Sequence, residues 1–131
     1  MTYKTHLISQ KFRISTDQFV PAWKALLAKE HGVTQDFSGT HRPRTLVEVL
    51  DGVGLVAEVD EGGNVVKLVW DRDSNAYHLE EFFQDIAPYI QKGSFLKFHD
   101  EYGDLITYRF TGNRVEIETI SMQEDDGEEE E

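Results

Sequence analysis

The sequence contains no cysteine among its 131 residues. That absence excludes disulfide bonds, thiol nucleophiles, iron–sulfur clusters and cysteine-ligated zinc sites. No run of 18 apolar residues occurs either, so no transmembrane helix is predicted. Residues 1–14 lack the apolar stretch of a secretory signal. We therefore expect a soluble, cytoplasmic protein with no membrane partner.

Basic residues are scarce, with 13 of them against 25 acidic residues, and the formal net charge is −12. Seven of the acids fall in the last eight residues. Like charges repel one another and bury nothing, so residues 124–131 are predicted to form a disordered acidic tail after a single domain over 1–123. This tail is either a solubilising end or an arm for a basic partner. Direct nucleic-acid binding is not expected, because it depends on Lys and Arg side chains releasing counterions from phosphates.

Apolar spacing predicts two main helices. The first begins near Asp17 and carries an apolar stripe that includes Trp23, with Gly32 as its terminator. The second runs from Leu79 towards Gly93, and Pro88 should kink or tighten it because proline lacks a backbone donor. A shorter helix is predicted to begin at a capping-box sequence; its residues are Thr45, Leu46, Val47 and Glu48.

Alternating apolar and polar residues predict the strands. Residues 4–14 form the first strand, with Ile8, Phe12 and Ile14 on one face. A hairpin spans residues 55–70, and a three-stranded meander occupies residues 95–120. Thr34–Arg44 shows no periodicity and is predicted to be a loop. The fold class is therefore α+β: a single, mostly antiparallel β-sheet of about six strands with two main helices packed on one face.

Common catalytic motifs are missing as well. The sequence has no P-loop, no Gly-x-Gly-x-x-Gly after a strand, no Gly-x-Ser-x-Gly and no His-Glu-x-x-His. No catalytic residue, metal ligand or cofactor is predicted. His31 lies at a helix end, where a cation suits the helix dipole. Glu80 and Glu81 beside His78 are also typical of a first helical turn, so a structural role is favoured over metal binding.

Two short segments are predicted to supply binding residues. The first is the cationic cluster of the irregular segment, namely His41, Arg42 and Arg44, whose guanidinium groups suit carboxylate or phosphate contacts. Pairing of these arginines with acidic neighbours such as Glu48 is the alternative. The second is an acidic hairpin tip around an aromatic side chain that could anchor an interface, formed by Asp100, Glu101, Tyr102 and Asp104. An ordinary turn is the alternative for it.

Residues 87–110, APYIQKGSFLKFHDEYGDLITYRF, resemble a segment in small uncharacterised bacterial and phage proteins. In those proteins a helix ending in Ala-Pro-aromatic leads to a Gly-Ser-aromatic strand, an acidic glycine turn and an aromatic-rich strand. The resemblance implies a helix followed by a meander, and a bacterial or phage setting. It implies no function.

Two functions are compatible with these observations. The first is a non-catalytic, acidic protein-binding module, an inhibitor, immunity-type protein or regulatory partner of a basic protein. The alternative is a small enzyme or ligand-binding protein whose sheet–helix cleft accepts an anionic small molecule, bound by Arg42 or Arg44 near four further side chains, His78, Glu80, His99 and Asp100. Exposed sheet edges would also permit a homodimer.

Overall fold

The computed structural model describes residues 5–70, 79–100 and 103–121. Within them the α+β fold class is confirmed. The strands are β1 (His6–Lys11), β2 (Thr34–Asp36), β3 (Gly39–His41), β4 (Leu55–Val59), β5 (Val65–Trp70), β6 (Phe95–His99), β7 (Leu105–Phe110) and β8 (Val115–Ile120). The helices are α1 (Phe19–Ala28), α2 (Leu46–Gly52) and α3 (Leu79–Ile86), with 3₁₀ turns at Thr16–Gln18 and Ala87–Tyr89.

The described strands form three antiparallel sheets rather than one. β1, β6, β7 and β8 make a four-stranded sheet in the order β1-β6-β7-β8, while β4–β5 and β2–β3 are separate hairpins. The prediction of a single six-stranded sheet is therefore wrong. β5 does lie beside β1, but among the described residues only Ile14 and Val65 link them through the main chain, with two hydrogen bonds of 3.0 Å. Further along the two strands, the side-chain amide of Gln10, rather than main chain, bonds to the main chain of Leu68.

A β-bulge explains a second error in the predicted first strand. The pairing of β1 with β6 shifts between Leu7 and Ser9. The extra residue reverses the alternation, so Ile8 is about half exposed whereas Phe12 and Ile14 are buried as predicted. Leu7, on the other side of the bulge, packs against the core in place of Ile8.

The core lies between the helices and one face of the sheets. Residues of all three helices and of the four strands β4, β5, β6 and β7 contribute buried apolar side chains to one cluster, including Leu26 of α1, Leu50 of α2 and Phe82 of α3. Trp23 is half-buried against the same cluster, as its position in the apolar stripe predicts. The helix α3 packs on the four-stranded sheet through Phe83, whose ring contacts Phe98 and Tyr108. The helix α1 packs against α2 and α3, while residues on the other face of the sheet, such as Arg109, are exposed.

The helix boundaries follow local chemistry. Thr45 is the N-cap of α2, with its Oγ1 accepting the Glu48 amide at 3.1 Å, as the capping sequence predicts. Pro88 lies in the 3₁₀ turn that follows α3, which confirms the predicted tightening. The first helix ends earlier than expected, at Ala28, because Glu30 already adopts a left-handed φ of 62° before Gly32 does so at 77°.

The segment predicted as a loop contains the hairpin β2–β3 (34–41) instead. Its strands are only three residues long, and Gln35 and residues 37–41 are exposed. Strands of three residues are too short to show hydrophobic alternation, so the sequence carried no periodic signal for this hairpin. The predicted tail at 124–131 lies outside the described residues. No helix within those residues is long and apolar enough to cross a membrane.

Asp60 stabilises the β4–β5 turn. Its Oδ1 accepts the main-chain amides of Gly62 and Asn64 at 2.9 and 3.0 Å, and Arg13 lies 3.7 Å from Oδ2. These donors, the Asn64 amide foremost, hold the pKa of Asp60 below its ordinary value of 3.8. A carboxyl group whose pKa is lowered by folding stabilises the native state above its unfolded pKa, and this contribution is lost as pH falls through the folded pKa.

We therefore expect Asp60→Asn to lower the urea midpoint at pH 7, because an amide makes weaker hydrogen bonds than a carboxylate. The difference from the wild type should narrow as pH is lowered below 3.8. Urea titrations from pH 7 to pH 2.5 measure both effects. Glu61→Gln, at an exposed acid of the same turn, is the matched control and should leave the midpoint unchanged at pH 7. An equally large effect of that control would contradict the role given to Asp60.

Candidate functional site

The hairpin β2–β3 and the residues after it position the predicted cationic cluster. His41 is the last residue of β3, Arg42 follows it directly, and Arg44 precedes the cap of α2. Pro43, between the two arginines, is buried, and its carbonyl oxygen accepts a hydrogen bond of 2.9 Å from Trp23 Nε1. The Arg44 amide donates to Glu48 Oε1 at 2.8 Å. The main chain of this segment is therefore anchored to α1 and α2, while its three basic side chains are exposed.

A pocket of about 280 Å³ lies beside this anchored segment. Its lining consists of Gly32, His41, Arg42, Pro43, Glu48, Asp51 and Gly52. The two glycines let the main chains of α2 and the α1 terminus approach closely, since a Cβ on Gly52 would lie 2.9 Å from Gly32 Cα. The pocket combines one guanidinium group with two carboxylates. It is therefore not a simple anion site, because both carboxylates oppose a negative ligand.

Phe37 lies at the tip of the hairpin and is fully exposed. Two side-chain hydrogen bonds brace the ribbon below it. Gln35 Nε2 donates to Thr40 Oγ1 at 3.1 Å across the strands, and the Ser38 hydroxyl lies 3.0 Å from His41 Nε2. Gly39, with a φ of 122°, allows the tight turn. The result is an aromatic side chain held in solvent on an ordered hairpin.

Sequence reasoning missed Phe37 because it lies in a segment without periodicity. A usable signal was present nevertheless. Asp36, Ser38 and Gly39 are all turn-forming residues, and they surround a single phenylalanine. An aromatic residue inside a cluster of turn residues indicates a hairpin tip with an exposed apolar side chain.

The acidic segment forms a compact turn between β6 and β7. Asp100 Oδ1 accepts the Asp104 amide at 2.9 Å, and the main chains of the two residues are also bonded at 2.9 Å. These contacts are typical of aspartate in a hairpin turn. Glu101 and Tyr102 lie outside the described residues, so the predicted aromatic anchor is not tested. Neither Asp100 nor Asp104 lines the pocket beside Arg42, so that pocket does not bring the two predicted segments together.

Two residues predicted for the alternative cleft, Glu80 and Asp100, lie near Tyr108. Burial raises the pKa of Tyr108 to about 12, and the carboxylates of Glu80 and Asp100 add to the shift. Both acids are therefore close enough to act on this hydroxyl, which stays protonated at neutral pH. His99 ends β6 opposite Leu105, and His78 lies outside the described residues.

His31 lies within hydrogen-bond distance of Asp85, a contact that the sequence did not indicate. Its Nε2 lies 2.8 Å from Asp85 Oδ2 of α3, and Lys29 Nζ is 3.6 Å from the other oxygen. The ring also packs edge-on against Phe82 at 5.2 Å. This pair joins the end of α1 to α3, which is a structural role. Within the described parts of the chain, no group of three His, Asp or Glu side chains is arranged to hold a metal ion.

Comparison with known proteins adds no assignment. A scan against protein-family models, a search of curated proteins and a search of solved structures each returned no match to this chain.

Proposed function

We propose that this protein is a non-catalytic protein-binding module that docks on a basic partner through the hairpin β2–β3, with Phe37 inserted into an apolar recess. The observation that carries the proposal is the full exposure of Phe37 at the tip of a braced hairpin. Leaving a phenylalanine in water costs about 1.5–3 kcal/mol relative to burying it. A partner that covers the ring recovers this free energy.

The anchoring of the hairpin base to the rest of the domain supports a role in recognition. Because Pro43 is buried and bonded to Trp23, the base of the hairpin is fixed before any partner arrives. A pre-ordered contact loses less conformational entropy on binding than a flexible one. Aromatic and arginine side chains are also the commonest binding hot spots, and Arg42 and Arg44 are exposed in the segment that follows the hairpin.

Charge favours a basic partner. The chain carries a formal net charge of −12, so it attracts cationic proteins over a distance of about one Debye length, roughly 8–10 Å in ordinary salt. The arginines after the hairpin then require a carboxylate at the rim of the partner's recess. An inhibitor, immunity-type protein or regulator would act by covering the partner's surface in this way.

The test is affinity capture at low ionic strength, followed by calorimetry with the purified partner. Phe37→Ser is expected to weaken binding at least tenfold, equivalent to about 1.4 kcal/mol, without lowering the urea midpoint. Val20→Ser, which removes another exposed apolar side chain on α1, is the matched control and should bind as the wild type does. A chain ending at Gln123 separates the contribution of the acidic tail from that of the hairpin.

The dissociation constant should also increase with salt, since long-range attraction is screened. Equal affinity of the wild type and Phe37→Ser for every captured partner would refute the proposal. Capture of only acidic partners would refute the part that concerns charge.

The alternative function, a cleft for an anionic small molecule, is not favoured by the pocket at Arg42. Glu48 and Asp51 line this pocket as well, and their negative charges outnumber the single guanidinium group.

A further inference from the structure

The strand β8 forms an open edge of the four-stranded sheet. It pairs with β7 on one side, and no strand of the described residues lies on its other side. Residues 116–120 are exposed and Val115 is half-buried. The opposite edge of this sheet differs, because β1 carries a bulge and lies against β5. β8 therefore presents a full strand edge to solvent.

The main-chain groups on this edge belong to alternate residues. The Phe110 amide donates to the Ser94 carbonyl oxygen at 2.9 Å, so the main chain of Phe110 faces β6. In an antiparallel sheet the main-chain groups of successive residues point to opposite sides of the strand. Those of Arg109 therefore face β8 and its partner Glu116. The N–H and C=O groups that point away from β7 are those of Val115, Ile117 and Thr119. Within the described residues, no hydrogen bond involves these groups.

This edge lacks the usual protection against pairing. Native edge strands are commonly short, bulged, or interrupted by proline or lysine. β8 has six residues, contains neither proline nor lysine, and pairs with β7 without a register shift. The turn before it is held by Thr111, whose amide donates to the Arg114 carbonyl oxygen at 2.9 Å and whose Oγ1 accepts the Arg114 amide at 3.2 Å. An edge that is already ordered loses little conformational entropy when a further strand is added.

The two faces of β8 define the residues that an added strand must carry. Its glutamates, Glu116 and Glu118, lie on the side of the sheet that also carries the exposed Arg109. Val115 and Ile117 lie on the other side, where their partners in β7 belong to the core. Opposite charges and apolar side chains on directly paired residues both stabilise a sheet. A strand that alternates basic and aliphatic residues therefore complements this edge.

The ion pairs that the two glutamates already make leave them available. Arg109 Nη2 lies 3.3 Å from Glu118 Oε1, and Arg114 Nη2 lies 3.9 Å from Glu116 Oε2. All four side chains are more than half exposed, so these contacts contribute little and exchange readily. A carboxylate also has two acceptor oxygens, which a cation of an added strand can share with the arginine.

The same glutamates oppose pairing with a second copy of the chain. In a symmetric antiparallel pairing centred on Ile117, Glu116 of one copy lies opposite Glu118 of the other, and this contact occurs twice. Like charges directly opposite one another destabilise a sheet. The edge therefore favours a basic strand over another β8.

We propose that the β8 edge binds an extended basic segment of a partner, in which lysine or arginine alternates with valine or isoleucine. The segment adds as a fifth, antiparallel strand, by the strand-addition mode of peptide recognition. Its main chain bonds to the open groups of Val115, Ile117 and Thr119, and its cations lie opposite Glu116 and Glu118. This site is separate from the Phe37 hairpin and does not rest on the function proposed for that hairpin.

The test uses the full chain and three labelled seven-residue peptides, with binding followed by fluorescence anisotropy. One peptide alternates lysine and valine, the second alternates glutamate and valine, and the third is the lysine peptide with its valine amides N-methylated. The lysine peptide is expected to bind at least fivefold more tightly than either of the others. N-methylation removes the donors that face β8 while keeping the charge, so it separates strand pairing from simple attraction to an acidic chain.

Variants locate the site. Thr119→Pro removes an outward N–H and places a ring in the path of the added strand, at a position where an edge strand tolerates proline. It should weaken binding of the lysine peptide at least fivefold. Glu118→Lys should do the same, whereas Glu61→Lys, the same charge change at an exposed position of the β4–β5 turn, should not. If Thr119→Pro fails to fold, Glu118→Lys still decides the question.

Three results would overturn the proposal. They are equal binding of the lysine peptide and its N-methylated form, equal effects of Glu118→Lys and Glu61→Lys, and failure of every peptide to saturate at millimolar concentration. Phe37→Ser should leave peptide binding unchanged, and loss of binding in that variant would contradict the assignment of the peptide to β8. Failure at the β8 edge and failure of the hairpin proposal are therefore distinguishable.

Discussion

Phe83→Ala is expected to lower the free energy of unfolding by about 3–5 kcal/mol, the usual cost of removing a buried phenylalanine ring. Phe83 is 1% exposed and lies at the centre of the aromatic core. Its ring centroid is 4.7 Å from that of Tyr108, 5.7 Å from Phe82, 5.8 Å from Phe110 and 6.4 Å from Phe98. The alanine variant therefore loses contacts to α3, β6 and β7 together, and a cavity remains where the ring was.

A loss of that size is a large share of the about 5–15 kcal/mol by which domains are stable. Urea denaturation followed by circular dichroism measures it. Val20→Ala, which shortens an apolar side chain that is already more than half exposed, should change the free energy of unfolding by less than about 0.5 kcal/mol. Similar midpoints for the two variants would show that Phe83 is not at the centre of the core.

Gly52→Ala is expected to destabilise the protein by about 1–3 kcal/mol through overpacking. A Cβ at Gly52 would lie 2.9 Å from Gly32 Cα and 3.0 Å from its carbonyl oxygen, so the clash is with main chain rather than a movable side chain. Gly32 cannot easily move, because it has a φ of 77° and the space at its own Cβ position is 3.1 Å from Val49 Cα. The contact between the end of α2 and the segment after α1 must therefore open.

The same substitution should alter the pocket that both glycines line. Two-dimensional NMR spectra of Gly52→Ala are expected to show shifted amide resonances for His41 and Arg42, which face the same pocket. Asp51→Ala, at an exposed position one residue earlier in α2, is the control and should retain the wild-type urea midpoint. A wild-type midpoint for Gly52→Ala would contradict the close approach of the two main chains.

The predictions from sequence were most accurate where local patterns and burial agree. The meander of β6, β7 and β8 and the cap of α2 at Thr45 follow from alternation and from capping chemistry, both of which act over a few residues. The stripe that contains Trp23 and the apolar face of α3 also pointed to the core as expected. Such signals need no knowledge of distant contacts.

The candidate site was predicted only in part. His41, Arg42 and Arg44 do lie together on an anchored segment, but the hairpin that carries Phe37 was taken for a loop. Each of its strands has only three residues, so hydrophobic periodicity could not reveal it. The contact between His31 and Asp85 joins residues 54 positions apart, a separation that local patterns do not report.

The sequence by itself determined the α+β class, the apolar faces of the helices, the β4–β5 and β6–β7–β8 hairpins and the excess of negative charge, because each of these depends on residue type and short-range spacing. Only the tertiary structure decided that the sheet is divided between β5 and β1, that Phe37 is exposed and that Gly32 and Gly52 touch. Those features depend on how separate elements meet. At the boundary between β1 and β5, the Gln10 side-chain amide bonds to Leu68 where a continuous ladder would place a main-chain group, and no local pattern encodes that contact.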